Sequence, residues 1–392
     1  MWPPPLWRRR ECGMKVLLIN SVCGICSTGR IVTDLVRKYM EEGHECRIAF
    51  GRSYIPPEYE KISYRISSHF DVIANALKAR VFDNDGFNST QATKRFLFWA
   101  EEFDPDILWL HNLHGYYINV ALLFDWIKSR PRMEVRWTLH DCWAFTGHCA
   151  HFSFVKCEQW KTGCERCTQT KEYPKSWVID NCKENFRKKR SAFCNVGNMH
   201  LITPSEWLAG LVKDSFLKNY PVQVAHNTID TNIFKPTDSD FRKEHGLEGK
   251  TVLLGVASAW SARKGLPDFI RLAQQLDDSY KVVLVGVTKR QIKQIPDDIL
   301  CIERTDSACE LAEIYTSADI FVNLTYEDTY PTVNLEAQAC GTPCITYRTG
   351  GSPETIRNGY VAAQGDLSEI IKMIHTLAGK KANENIIFRN DM

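Results

Sequence analysis

The sequence predicts an α/β protein built from two Rossmann-like domains, each a parallel sheet covered by helices. Three observations carry this. Short apolar strands alternate with helical stretches along the whole chain. The strands fall into two successive sets. The 392 residues, 44% of them hydrophobic, are enough for two full cores and too many for one.

The opening Met1-Trp2-Pro3-Pro4-Pro5-Leu6-Trp7 and Arg8-Arg9-Arg10 carry charge without the apolar run of about 7 to 15 residues that a secretory signal needs. Met14 leads directly into a strand, so residues 1–13 are expected to be an upstream-start extension with no role in the fold. The first domain is expected over 14–228, with strands at 16–20, 46–50, 107–111, 135–140 and 201–204. After the first strand, the loop 21–30 is rich in small residues that let a ligand approach the backbone, and a helix is expected over 31–40. Gly29 and Arg30 in that loop are candidate contacts for a diphosphate or an acceptor. A glycine-containing turn without a ligand is the plain alternative.

Two further strand ends carry histidines, at His111 and His114 and at His140-Asp141. Strand ends in such sheets face the ligand crevice, so these histidines, His140 among them, are the first domain's candidates for chemistry. A histidine satisfying backbone groups beneath a loop is the alternative. A cysteine-rich insert follows over 142–170. Cys149, Cys157, Cys164 and Cys167 lie within nineteen residues, the last pair as C-x2-C, and have the ligand count for a structural zinc site. His148 or His151 is a possible substitute for one sulfur, and metal-free cysteines are an equal reading. Residues 177–193 mix Lys183, Arg187, Lys188, Lys189 and Arg190 with Val178, Ile179 and Phe186, the pattern of a basic amphipathic helix for anionic lipid or, more plainly, for solvent.

The second domain is expected over 229–378, with strands at 252–257, 282–286, 300–303, 320–324 and 344–347. Arg263 and Lys264 follow the first of these and precede a helix with Pro267 in its first turn, so they meet any diphosphate together with a helix's positive end. Taken alone, a solvated basic pair is the plain reading. Asp328 and Glu336, eight residues apart, bracket Thr329-Tyr330-Pro331; the first falls on a loop and the second on a helix that Gly341 and Pro343 stop. Residues 379–392 are expected to begin a further helix.

Near-balanced charge, 49 basic against 47 acidic residues for a net +2, provides no field for nucleic acid, and no such partner is expected. No apolar run approaches the roughly 20 residues that cross a bilayer. Fifteen cysteines without an export signal point to reduced thiols in a cytoplasm.

The acidic pair, Cys340-Gly341-Thr342-Pro343 and Thr349-Gly350-Gly351-Ser352-Pro353-Glu354 together resemble the E-x7-E, CGTP and TGG-x-PE signatures of the retaining family 4 glycosyltransferases, glycosyl transferases group 1. The family includes sucrose synthase-like, phosphatidylinositol mannosyltransferase-like and capsule-polysaccharide enzymes, and the cysteine insert is similar to that of a subgroup near the colanic-acid and capsule enzymes. Asn227-Thr228-Ile229-Asp230, running on to Phe234-Lys235-Pro236, is similar to its linker, with Thr228 where glycine is usual.

The resemblance implies the GT-B architecture, two such domains facing across a cleft. It also implies a C-terminal helix crossing back to the first lobe, about where this chain stops, so a truncated helix is expected. Glu336 would bind the donor's ribose and Asp328 the transferred sugar, with Glu327 as the alternative first acid because most members have Glu there. Arg263 and Lys264 would hold the diphosphate, beside the segment containing Thr329, Tyr330, Thr332 and Val333.

The donor would be a nucleoside-diphosphate sugar of UDP or GDP type, used without a catalytic metal. The acceptor would be a glycan or lipid-linked sugar in surface polysaccharide biosynthesis, reached in the cytoplasm or peripherally at the inner face of the cell membrane. A GT-B nucleotide-sugar epimerase and a non-catalytic sugar-nucleotide binder are the alternatives.

Overall fold

The structure, a computed structural model, describes residues 13–390. The chain divides at His226–Asn227 into two units, each with its own parallel sheet. Residues 1–12, most of the expected upstream extension, lie outside the described residues.

The first unit contains β1 (Lys15–Asn20), β2 (Glu45–Phe50), β3 (Ser63–Arg65), β4 (Ile107–Leu110), β5 (Glu134–Thr138), β6 (Met199–Thr203) and β7 (Val222–Val224). These pair in the order β3-β2-β1-β4-β5-β6-β7. Its helices are α1 (Cys26–Glu41), α2 (His69–Phe82), α3 (Thr90–Phe103), α4 (Val120–Lys128), α5 (Cys182–Phe193) and α6 (Glu206–Asp214). Strand alternation divides the core between the two faces of the sheet. Leu17, Ile19, Leu108, Leu110, Val135 and Trp137 pack on one side. Val16, Leu18, Ile48, Ile107 and Trp109 pack on the other. Burial on both faces is why these strands read as continuous apolar runs.

The second unit contains β8 (Thr251–Val256), β9 (Tyr280–Val285), β10 (Leu300–Ile302), β11 (Ile320–Asn323), β12 (Cys344–Tyr347) and β13 (Gly359–Ala362). Its order is β10-β9-β8-β11-β12-β13. The helices are α7 (Phe241–Glu244), α8 (Leu266–Ala273), α9 (Lys289–Ile292), α10 (Ala308–Ser317), α11 (Thr332–Ala339) and α12 (Leu367–Asn390). Leu253, Leu284, Val322 and Ile345 face one core. Val252, Leu254, Val283 and Phe321 face the other.

Three strands escape the sequence reading: β3, β7 and β13. Each is an edge, only three or four residues long, and mostly half-exposed, so it lacks the apolar run that marks a central strand. The helix expected over 31–40 starts earlier, at Cys26, which puts Gly29 and Arg30 in α1 instead of its preceding loop. A Cβ at Gly29 would stand 3.1 Å from the Gly24 nitrogen, so the small residue lets loop 22–24 fold over the helix. The basic amphipathic helix expected over 177–193 begins only at Cys182, leaving Trp177, Val178 and Ile179 in a non-helical segment. Asp180 explains the late start: its carboxylate accepts the Cys182 N–H at 3.0 Å, stabilising a turn that opens α5.

Candidate functional site

Reversal of strand order determines where side chains can gather beside each sheet. β8 and β11 are adjacent strands from which the winding proceeds in opposite directions, and ligands of such sheets bind beyond the carboxyl ends of the strands at this switch point. These loops, 257–265 and 324–331, carry the charged residues singled out in the sequence.

A backbone bond joins the two loops. The Tyr326 N–H donates to the Arg263 carbonyl at 2.8 Å, while within the second loop the Thr325 hydroxyl donates to the Glu327 carbonyl at 3.0 Å. Gly265 caps α8 at φ +79°, and a Cβ there would lie 2.1 Å from the Leu324 carbonyl oxygen. Only glycine permits this approach.

Two cation–carboxylate pairs result. Lys264 Nζ lies 2.7 Å from Asp328 Oδ2, and Arg263 Nη1 lies 3.7 Å from Glu327 Oε2. Both acids are therefore in place: Asp328 has the short bond, and Glu327 is more deeply buried behind a looser pair. A third loop fixes Asp328 from its backbone side. The Gly351 N–H donates to the Asp328 carbonyl at 3.2 Å, and Gly350 sits at φ +54° where a Cβ would lie 1.9 Å from that oxygen. Gly350 is thus required by the close approach of two loops.

Glu336 is buried on α11, where its Oε2 accepts the Tyr315 hydroxyl at 3.0 Å. Burial, reinforced by the Glu336 charge, pushes the Tyr315 phenol well above its ordinary range, so it remains a donor. Thr332 and Val333 occupy the first turn of α11, where backbone N–H groups have no partner within the helix. Thr329 and Tyr330 are buried in the loop before it. The Tyr330 N–H is engaged locally, donating to Asp328 Oδ1 at 3.3 Å.

In the first unit the order reverses between β1 and β4. His140, just beyond β5, stacks on His111 with ring centroids 5.3 Å apart, and His111 Nδ1 meets His140 Nε2 at 2.9 Å. Burial pushes His140 down to about 4 and His111 well below an ordinary imidazole, so both rings are neutral at pH 7. Next to them His114 Nε2 meets Asp141 Oδ2 at 2.7 Å, and its Nδ1 meets the Tyr173 hydroxyl at 3.0 Å. Burial would raise the Asp141 carboxyl, but the charge and hydrogen bond of His114 outweigh it and hold the group at about 2.

The loop bearing His114 turns through Gly115 and Tyr116 at φ +113° and +70°. Buried Asp85 secures it by accepting both backbone N–H groups, at 3.4 and 3.0 Å. The pairing of His114 with Asp141 and Tyr173 and the support from Asp85 escaped the sequence reading. The H-x2-H at 111–114 pointed to the first; no local pattern marks Tyr173 or Asp85. Gly29 and Arg30 stand on α1, Gly29 buried and Arg30 exposed.

Cys149, Cys157, Cys164 and Cys167 do converge, lining one small cavity with Phe152 and Trp160. The zinc expectation is nevertheless not supported. Among the described residues no group of three or more His, Cys, Asp or Glu side chains is arranged to hold a metal ion. Cys149 hydrogen-bonds Cys167, lifting its own thiol and lowering that of Cys167, and the Cys164 sulfur accepts the Gly147 N–H at 3.2 Å. Burial keeps Cys164 protonated, at about 11. The insert is anchored by Lys189 of α5, whose buried ammonium donates to the Trp143 and Thr146 carbonyls at 2.8 and 3.1 Å.

Residues 250–380 match the family described as Glycosyl transferases group 1. The chain is 27% identical over 209 residues to a protein of Escherichia coli (strain K12) named as the colanic acid biosynthesis glycosyl transferase WcaC, covering 50% of each chain. It thus spans about half the length of the curated relatives it matches. Among solved structures, sucrose-phosphate synthase from Thermosynechococcus elongatus superposes with a TM-score of 0.67 at 15% identity, covering 94% of this chain and 90% of that one. HepE of Anabaena in complex with UDP gives 0.63 at 14% identity, with coverage of 94% and 90%. These likenesses show the GT-B fold.

Proposed function

We propose that this chain, which carries a group 1 glycosyl transferase domain at residues 250–380, is a glycosyltransferase that moves a sugar from a nucleoside diphosphate to a glycan or lipid-linked acceptor in surface polysaccharide synthesis. The observation that supports it best is the cluster at the switch point between β8 and β11, where Arg263 and Lys264 stand against Glu327 and Asp328 on loops held close by glycines. The names of the relatives support the same reading: WcaC is named for colanic acid biosynthesis, and HepE is solved with UDP and with UDP-glucose.

In this reading Lys264 keeps one N–H on Asp328 and turns another to the diphosphate, since an ammonium carries three donors. Arg263, loosely held at 3.7 Å from Glu327, supplies a second cation. Together they stabilise charge that grows on the leaving diphosphate as the glycosidic carbon–oxygen bond breaks. Backbone N–H groups of Thr332 and Val333 assist. Glu336, oriented by Tyr315, binds ribose hydroxyls, and Asp328 binds the transferred sugar.

The reaction retains anomeric configuration and uses no catalytic metal: the acceptor oxygen bonds to the anomeric carbon on the face the diphosphate leaves, and its proton passes to the departing phosphate oxygen. Neutral His140 orients a hydroxyl, and Gly29 and Arg30 border the substrate at the first unit's crevice. The working place is the cytoplasm or the inner face of the cell membrane.

Calorimetric titration with UDP, GDP and ADP, without divalent metal, tests the donor site on wild type and Glu336→Ala. One diphosphate should bind saturably and lose affinity in the variant. A folded protein that binds none of the three defeats the reading.

A further inference from the structure

Helix α2 is built inside out. Toward the protein it buries Asn75, Ala76 and Ala79, with Asn75 donating to the Ser89 hydroxyl at 2.7 Å. Toward solvent it turns Phe70, Ile73, Leu77 and Phe82, which are 82%, 47%, 49% and 50% exposed. A helix stabilised only by its own core would show the opposite arrangement.

The apolar strip continues onto the neighbouring segment. The Trp177 N–H donates to the Arg80 carbonyl at 2.6 Å and the Ile179 N–H to the Val81 carbonyl at 3.2 Å, fastening residues 177–179 along the end of α2. Trp177 and Val178 there are 64% and 71% exposed. Grouped large apolar side chains of this kind mark an interaction surface.

The charges on these two segments select the partner. Lys78 and Lys175 are exposed, and the Arg80 guanidinium stands 5.2 Å from the Trp177 ring centroid. The one acid of α2, Asp71, is engaged at the opposite end in a capping box with Ser68. Exposed aromatic and aliphatic side chains bordered by lysine and arginine suit the boundary between headgroups and acyl chains of an anionic bilayer. A two-fold contact between copies would instead bring like charges together. Helix α5 is a poorer candidate: Lys189 is buried, and Glu184 sits 2.7 and 3.7 Å from Arg187 and Lys188.

We propose that the outward face of α2 with residues 175–179 seats the protein on an anionic membrane surface. The inference does not depend on the donor site. Co-sedimentation of the full chain with phosphatidylcholine vesicles, with and without phosphatidylglycerol, tests it. Wild type should partition onto the phosphatidylglycerol vesicles, with binding at least tenfold weaker in Phe70→Ser/Trp177→Ser and weakened by Lys78→Glu. Diphosphate binding should be unchanged in both variants, which also verifies their folding. Should the double variant fold poorly, Leu77→Ser alone serves. Wild type that ignores the anionic vesicles, or variants that bind them equally well, would overturn the proposal. So would a wild-type dimer that fails to bind vesicles and that the double variant dissociates.

Discussion

Replacing Lys264 by methionine separates its observed pairing with Asp328 from the diphosphate contact proposed for it. The ammonium is 28% exposed and its partner Asp328 20% exposed, at 2.7 Å. A charge-assisted hydrogen bond contributes about 1.5–3 kcal/mol, and partial solvation places this pair toward the lower end. Lys264→Met should therefore lower stability by about 1–2 kcal/mol, because Asp328 loses its partner. If Lys264 also holds the diphosphate, losing that donor costs a further ~1.5–3 kcal/mol of binding, about 10- to 150-fold in Kd. Adding Asp328→Asn removes the orphaned charge. The double variant should recover stability to within about 0.5 kcal/mol while its affinity for the bare diphosphate stays at least tenfold down. Urea denaturation and metal-free calorimetry with UDP, GDP and ADP measure the two quantities separately. Full recovery of nucleotide affinity in the double variant would refute the reasoning, because Lys264 would then act only by neutralising Asp328.

Gly350→Ala should destabilise the second unit by about 2 kcal/mol or more and abolish diphosphate binding, since its Cβ would stand 1.9 Å from the Asp328 carbonyl; a thermal melt with and without nucleotide reads both. His140 titrates at about 4 in the folded protein against an ordinary 6.5, so the unfolded chain binds more protons between these values and stability falls as pH drops through them. Its share is at most about 3 kcal/mol, and His140→Gln should make the fall of urea-derived stability between pH 7 and 4.5 shallower without abolishing it, because buried His111, also pushed well below the ordinary imidazole range, still contributes there. Asp141 does not obscure that window: its contribution is complete above the ordinary carboxylate range and disappears only as pH falls toward 2. Lys189→Met leaves the Trp143 and Thr146 carbonyls without their buried donor, for an expected loss of about 2–5 kcal/mol in urea denaturation.

The fold was legible where a single segment carries its own signal. Leu17 and Leu18 of β1 face opposite cores, yet both had to be apolar, so the strand stands out in the sequence. Ser63, Val222 and Gly359 begin edge strands whose pairing depends on a neighbour already in place, and nothing local announces them. In the same way, helical spacing suggested that Val178 and Ile179 belong with the basic residues of α5, whereas backbone bonds to Arg80 and Val81 assign this segment to α2, nearly a hundred residues earlier.

The loops after β8 and β11 show the same division. The residue types and spacing of Arg263, Lys264, Asp328, Glu336 and the Gly350-Gly351 pair are properties of the chain alone, because each motif is continuous. Which cation meets which acid is not such a property: it follows from β8 lying beside β11, which brings Lys264 to Asp328 across sixty-four positions and gives Glu327 to Arg263. The cysteines make the contrast sharpest. Their spacing suggested a metal, but the spacing of ligands along a chain sets only how near they can come. The directions of the sulfurs depend on neighbours such as Gly147 and on Cys149 meeting Cys167, and contacts between distant segments arise only when the chain has folded.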